Sequence, residues 1–283
     1  MGSLRFIDRA TLEVEIHSNQ VEAIKRFELD GREPVGPRVA ATVMLMRRAA
    51  SASGLEVYML KRSKSMAFLP NVLVFPGGGV DATDALYEYR WEGPSPDEWS
   101  VILGMSTRDA KALVVAAVRE LFEEAGVLLA GDLVSPLPEA DSLDDERTLL
   151  EGHQLALEDI LARRNLALRT DCLYVRDQWV TPEFSSRRYR AFFFSAMLPH
   201  NQQAYSHSTE AQRAVWVDPS EALEEQRRNQ SLVAPPTAFN LLRLAEAAGE
   251  DAFQVHIDCQ PAHMFHPVFA QEGRMVMRCE VCR

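Results

Sequence analysis

The stretch from residue 112 to residue 127 constrains this chain more than any other. An apolar run, residues 112–118, passes directly into Arg119-Glu120-Leu121-Phe122-Glu123-Glu124-Ala125-Gly126-Val127. Ser106, followed three residues later by Asp109, has the form of a helix start, and Gly126 sits where a left-handed residue ends one. A helix is therefore expected from about residue 107 to residue 125. Residues three and four apart share a helix face, so Glu120, Glu123 and Glu124 project nearly together. Carboxylates ~4 Å apart repel by about 4 kcal/mol per pair at the effective dielectric of a protein surface. Water can take up that charge, or a divalent cation can, and the cation would create a centre for phosphate chemistry.

The upstream sequence supplies strands and a turn. Residues 38–47 form a dense apolar run, expected as a buried strand. Residues 55–62 alternate like a partner strand, and residues 72–75 read as a third, stopping at Pro76-Gly77-Gly78-Gly79, where backbone freedom is greatest. Residues 81–104 read as an inserted loop with short helices, and residues 141–165 as a charged helix. Residues 172–181, 189–198 and 215–217 read as strands. Asp218-Pro219 opens a short helix, residues 236–248 form an amphipathic one, and residues 253–257 with 274–278 suggest a last strand pair. This mixture is of the α/β class, with helices covering the faces of one sheet.

Composition narrows the partners. A net charge of −11 over 283 residues argues against a nucleic-acid surface, which needs clustered Lys and Arg. An anionic substrate would require local cations or a metal to invert the protein's own field. The longest apolar run is too short to cross a bilayer, the first residues carry no secretory pattern, and four cysteines are then expected in a reducing, cytoplasmic setting.

The pattern Arg-Glu-Leu-x-Glu-Glu-x-Gly-Val at 119–127, with Pro76-Gly77-Gly78 upstream, resembles the Nudix hydrolase signature. That signature is a glycine, a spaced glutamate, then Arg-Glu-apolar-x-Glu-Glu-x-Gly-apolar on a loop–helix–loop. The second half matches at every fixed position. The first half departs: an insertion of about residues 82–105 separates Gly78 from the helix, and Lys111 stands at the glutamate position. Residues 68–81, Trp179-Val180-Thr181-Pro182 and Arg187-Arg188-Tyr189 ahead of an aromatic strand are similar to the coenzyme A diphosphatase branch, although Arg190-Ala191-Phe192 replaces that branch's Asp-Thr-Arg.

The resemblance implies a Nudix α/β/α sandwich with a mixed sheet over residues 36–250, between an N-terminal arm (1–35) and a C-terminal extension (251–283). It implies Mg²⁺ or Mn²⁺ on Glu120, Glu123, Glu124 and the Gly78 carbonyl. Glu120 or a downstream acid, Glu210, is then the base, and Arg119 holds a carboxylate in place. Arg62, Arg187 and Arg188 are candidates for bidentate contacts to phosphate, and Phe68 and Trp179 for stacking on a nucleobase. The expected reaction is hydrolysis of a pyrophosphate bond in a small nucleotide derivative. Coenzyme A or acyl-CoA comes first, and ADP-ribose, NADH or a nucleotide sugar is the alternative. A Nudix protein that binds a nucleotide without cleaving it is the rival from another class. No nucleic-acid or membrane partner is expected, and the dimers among relatives make a homodimer compatible with the resemblance.

One motif stands apart. Cys259-x3-His263 and Cys279-x2-Cys282 together offer a sulfur and nitrogen set that suits structural Zn²⁺. The alternative is a terminal strand pair whose thiols are incidental.

Overall fold

The computed structural model describes residues 4–7, 10–50, 54–62, 72–131, 143–205, 212–228, 230–247, 253–258, 260–270 and 274–281. The strands are β1 (Leu4–Phe6), β2 (Thr11–Glu15), β3 (Arg38–Arg48), β4 (Leu55–Arg62), β5 (Val72–Val74), β6 (Gly77–Gly79), β7 (Trp91–Glu92), β8 (Ala130–Gly131), β9 (Ala167–Arg169), β10 (Tyr174–Val180), β11 (Tyr189–Met197), β12 (Gln212–Val217), β13 (Leu232–Val233), β14 (His263–Met264), β15 (His266–Phe269) and β16 (Met275–Glu280). The helices are α1 (Ser18–Asp30), α2 (Pro96–Leu103), α3 (Thr107–Ala125), α4 (Asp144–Glu151), α5 (Leu157–Arg163), α6 (Pro219–Arg227) and α7 (Pro235–Glu246).

A nine-stranded mixed sheet forms the middle layer, in the order β13-β5-β4-β3-β11-β10-β14, with β12 added to β4 and β6 to β3. Its centre is the parallel pair β3–β11, in which Ala40 is registered with Ala191 and Val43 with Phe194. Side chains alternate across a strand, and the two cores follow that rule. Val43, Leu45, Tyr58, Leu60, Phe192 and Phe194 face α3, while Met44, Met46, Val57, Met59 and Phe193 face α6, α7 and the chain termini. The result is the α/β/α sandwich that the sequence led us to expect.

Helix α3 is central to one layer. It is buried on every side from Ala110 to Arg119, as expected for a helix apolar all round. It packs on α2, α4, β3, β6 and a 3-10 turn over Ala82–Ala85. Ser106 caps its start by accepting the Asp109 amide at 3.2 Å. Gly126, at φ +67°, ends it by donating to the Phe122 carbonyl.

Two expectations need correction. Residues 141–165 hold two helices rather than one, because Gly152 and His153 (φ +52°) turn the chain between them. Residues 253–257 form no strand; β16 instead pairs with β15 and with β2. The arm and the extension thereby join in one four-stranded sheet, β1-β2-β16-β15, laid over the second core. No described helix is long and apolar enough to cross a membrane.

Candidate active site

Strand β6 brings the glycines to the helix. It pairs antiparallel with β3, Gly78 opposite Ala41, and its other side rests on α3. Space there is short at Gly77 and Gly78. A Cβ on Gly78 would lie 2.6 Å from both Cδ and Oε2 of Glu120. A Cβ on Gly77 would meet Thr42 Cα at 2.7 Å, and its φ of +154° is itself one that favours glycine. The Gly77 amide donates to Glu124 Oε2 at 2.7 Å. The acidic end of α3 therefore faces the glycine strand.

Arg119 ties this cluster together from below and is 6% exposed. Its Nε and Nη2 grip the two oxygens of Asp84 at 2.9 and 3.1 Å. Nη1 donates to Glu120 Oε1 at 2.8 Å and to Glu123 Oε2 at 3.2 Å, and Nη2 also reaches the Gly79 carbonyl at 3.0 Å. One guanidinium thus serves three carboxylates, and Asp81 approaches it at 3.8 Å. The electrostatics reflect the surplus. Burial works against the charge on Arg119, but its acidic neighbours outweigh that and raise its pKa. Burial raises Asp84 and Glu120 against the pull of Arg119. Burial pushes Glu123 up to about 7, and repulsion from Glu120 and Asp84 adds to the shift that Arg119 opposes.

Asp84 was missed by the sequence reasoning. Counting backward from Arg119 leads to Lys111, whose Nζ is 3.1 Å from Glu88 of the insertion. Counting forward from Gly78 leads to Asp84, which the sequence reading places inside the insertion, and this is the acid that meets Arg119. Its signal was present as Asp81-x-x-Asp84, whose two ends bond each other through the Asp81 amide at 2.8 Å.

Arg147 was also missed. It is fully buried, and from α4 it donates Nε and Nη2 to the Glu123 carbonyl at 3.1 and 2.7 Å. This satisfies a carbonyl in the last turn of α3, which has no partner within the helix, and it anchors the segment that carries Glu123 and Glu124.

The other sequence candidates lie elsewhere. Phe68 and Glu210 fall outside the described residues, as does the side chain of Arg62, which ends β4 opposite Gln212. Arg187 is exposed in the β10–β11 turn. Arg188 is buried, with Nε on the Thr181 carbonyl (3.0 Å), Nη1 on the Val35 carbonyl (2.9 Å) and Nη2 against Met264 Sδ. It ties the turn to the segment leading into β3, and no open fork remains for a phosphate. Trp179 is 3% exposed and packs on the far face of the sheet, stacked on Phe265 with centroids 5.5 Å apart. It lies on the face of the sheet away from α3 and the glycine strand.

The proposed zinc set lies partly outside the described residues. Cys259 and Cys282 lie outside the described residues. Of the other two, His263 has Nε2 3.3 Å from Asp177 and Nδ1 3.2 Å from the Glu280 carbonyl, and Cys279 is buried. Among the described residues no group of three or more His, Cys, Asp and Glu stands ready to hold a metal. That includes the carboxylates of α3, because Arg119 draws Glu120 and Glu123 while Glu124 turns to the Gly77 amide.

Comparison with known proteins now adds to the geometry. The profile of the NUDT19 Nudix domain matches residues 100–244, just over half of the chain. The chain belongs to the Nudix hydrolase family. Among curated Nudix relatives, acyl-coenzyme A diphosphatase NUDT19 of Xenopus laevis is 24% identical over 280 residues, covering 83% of this chain and 72% of that protein. The human protein of the same name is 28% identical over 237 residues, covering 71% of this chain and 63% of its own length. A crystal structure of a Nudix hydrolase from Alicyclobacillus acidocaldarius superposes with a TM-score of 0.62 at 26% identity, covering 78% of this chain and 96% of that one.

Proposed function

We propose that this Nudix enzyme hydrolyses the pyrophosphate bond of coenzyme A or an acyl-CoA with the help of Mg²⁺ or Mn²⁺, within a domain running over residues 36–250. The observation that carries this reading is the charge imbalance beside the glycine strand. Glu120, Glu123 and Asp84 share one arginine, Glu124 stands beside them on the Gly77 amide, and a divalent cation would relieve the repulsion among these carboxylates. The donor atoms are of the kind Mg²⁺ takes, oxygens with room for several waters, and the carboxylates would turn from Arg119 and the Gly77 amide to meet it. Glu120, Glu123, Glu124 and the Gly78 carbonyl would hold it. When bound, such an ion offsets phosphate charge and makes water a better nucleophile.

The chain's own residues do the rest. Arg119 Nη1 holds Oε1 of Glu120, which leaves Oε2 to take the proton from the attacking water. Asp84 keeps Arg119 from swinging away, so Arg119 acts as a positioning residue. Arg147 keeps the last turn of α3 wound while Glu123 and Glu124 work. The acyl-CoA assignment follows the names of the relatives, with ADP-ribose, NADH and nucleotide sugars as competitors. The reading as a non-cleaving binder loses its one argument, since Asp84 supplies the acid that Lys111 was thought to replace.

The test is turnover of coenzyme A, an acyl-CoA, ADP-ribose, NADH and a nucleotide sugar with each metal, in the wild type and in Glu124→Gln. Cleavage of the coenzyme A compounds above the others, abolished by the substitution, is expected. Full activity in Glu124→Gln would refute the metal assignment, and preference for ADP-ribose would refute the substrate.

A further inference from the structure

Behind the sheet, on the side away from α3, lies an apolar cavity of about 420 Å³. Its walls come from parts of the chain that are far apart in sequence. Val14 belongs to the arm, Trp179 and Phe193 to the sheet, Pro235 to the start of α7, and Phe265 and Met277 to the extension. Polar groups are confined to one side of the lining, Glu15 and Gln20 from the arm and α1, and to Thr181 and Ser185 of the β10–β11 turn. The volume falls in the range of small-ligand sites, roughly 300–1,000 Å³, and its apolar lining is typical of them. A cavity walled mostly by aromatic and aliphatic side chains, with a carboxylate (Glu15) but no lysine or arginine in its lining, selects hydrocarbon rather than phosphate.

We propose that this cavity receives the fatty acyl chain of the substrate; the inference rests on the acyl-CoA reading above and extends it. Register supplies the link to the active site. Ala191, in the cavity wall, is paired with Ala40, which is paired with Gly79. Two strand spacings amount to about 10 Å. Tyr189 also lines the cavity, is 44% exposed and stands opposite Arg38 at the heads of the two central strands. The route from the glycine strand to the cavity therefore runs around those strand heads. The long pantetheine arm of coenzyme A, which separates thioester from pyrophosphate, is what such a route requires. The proposal also gives the arm and the extension a purpose, because both contribute walls.

Two measurements on the full chain test it. The first is hydrolysis of coenzyme A and of acetyl-, hexanoyl- and decanoyl-CoA by the wild type, Ala191→Trp and Ser185→Trp. In the wild type KM should fall along the series, by up to about fourfold for each methylene that enters the cavity. In both variants, which fill the cavity or narrow its mouth, the ratio of decanoyl-CoA to coenzyme A in kcat/KM should collapse toward one. The second is tryptophan fluorescence with EDTA present to stop turnover, with Trp179→Phe as the reference for the signal of Trp179. Decanoyl-CoA should change that signal at lower concentration than coenzyme A does. Equal KM values along the series, or a ratio unchanged in both variants, would overturn the proposal even if coenzyme A is cleaved. A response to free decanoate without one to decanoyl-CoA would overturn it too, leaving an unrelated lipid pocket. Cleavage of ADP-ribose but of no coenzyme A compound would instead overturn the function on which it rests, and the fluorescence result would then stand on its own.

Discussion

Two buried polar clusters lie on opposite faces of one sheet, and they are balanced in different ways. On the α3 face, Asp84, Glu120 and Glu123 crowd a single guanidinium. On the other face Asp177 accepts from the indole of Trp179, from Asn240 Nδ2 at 2.9 Å and from the Gln178 amide at 2.9 Å, with His263 at 3.3 Å. The second cluster is closed: one carboxylate and enough donors to satisfy it. The first is open, with more negative charge than its arginine can answer. Burying an ion costs several kcal/mol unless partners make up for it, so a fold that tolerates the open cluster has a use for the imbalance. That contrast, more than the burial of either cluster, marks the α3 face as the reactive one.

The contrast breaks most sharply at Glu124 and Glu120. Glu120→Gln should lower turnover by about 10²–10⁴-fold, the usual worth of a positioned base, with little change in the unfolding midpoint. Next comes Asp84→Ala, which takes two of Arg119's hydrogen bonds but leaves it Glu120, Glu123 and the Gly79 carbonyl; it should cost about 1–3 kcal/mol, read as a lower midpoint in urea at unchanged slope. If Asp84→Ala were as stable as the wild type, Arg119 would not depend on it and the open cluster would be misdescribed.

Gly78→Ala sharpens the same point by sterics alone. The new methyl would meet the Glu120 carboxylate, and the carboxylate must move. A loss of activity of roughly 10–100-fold is expected, as for other groups that orient a ligand, while a purely structural glycine would cost stability and spare kcat. On the closed side, Asp177→Asn should cost about 1.5–3 kcal/mol, the worth of hydrogen bonds to a charged group. Its effect on coenzyme A turnover should be smaller than that of Gly78→Ala.

Legibility followed locality. Helix α3 was readable because its cap, its apolar face and its acids all lie within one continuous segment. The glycine strand was readable as a turn, but not as a strand paired with β3, since nothing in three glycines announces a partner. Asp84 was hidden by the insertion, which moved the acid away from the helix in sequence while the fold kept it beneath Arg119. The closed cluster could not be foreseen at all. Its members come from positions 177, 179, 240 and 263, and a break in the β10 register between Val175 and Asp177 upsets the alternation a reader would use. The sheet made by arm and extension escaped for the same reason, because it pairs residues 11–15 with 276–280.

Cys279 offers the smallest effect and a direct test of how the tail is built. It sits in β16, opposite Leu12 of the arm, and is 2% exposed. Burial pushes its thiol up to about 12, from an ordinary 9.0. Metal binding and alkylation both need the thiolate, and a rise of this size makes it about a thousandfold scarcer than in a free cysteine at neutral pH. A cysteine serving zinc would be deprotonated, whereas without metal this one is packed as a small residue of the second core. Iodoacetamide should therefore leave Cys279 almost unlabelled in the native protein and label it readily in urea, as followed by mass spectrometry of the peptide containing it. Chelation should not speed the native reaction. Rapid labelling of the native protein once a chelator is added would mean that a metal had been protecting the thiol, and that the extension is a metal module rather than a wall of the hydrophobic layer.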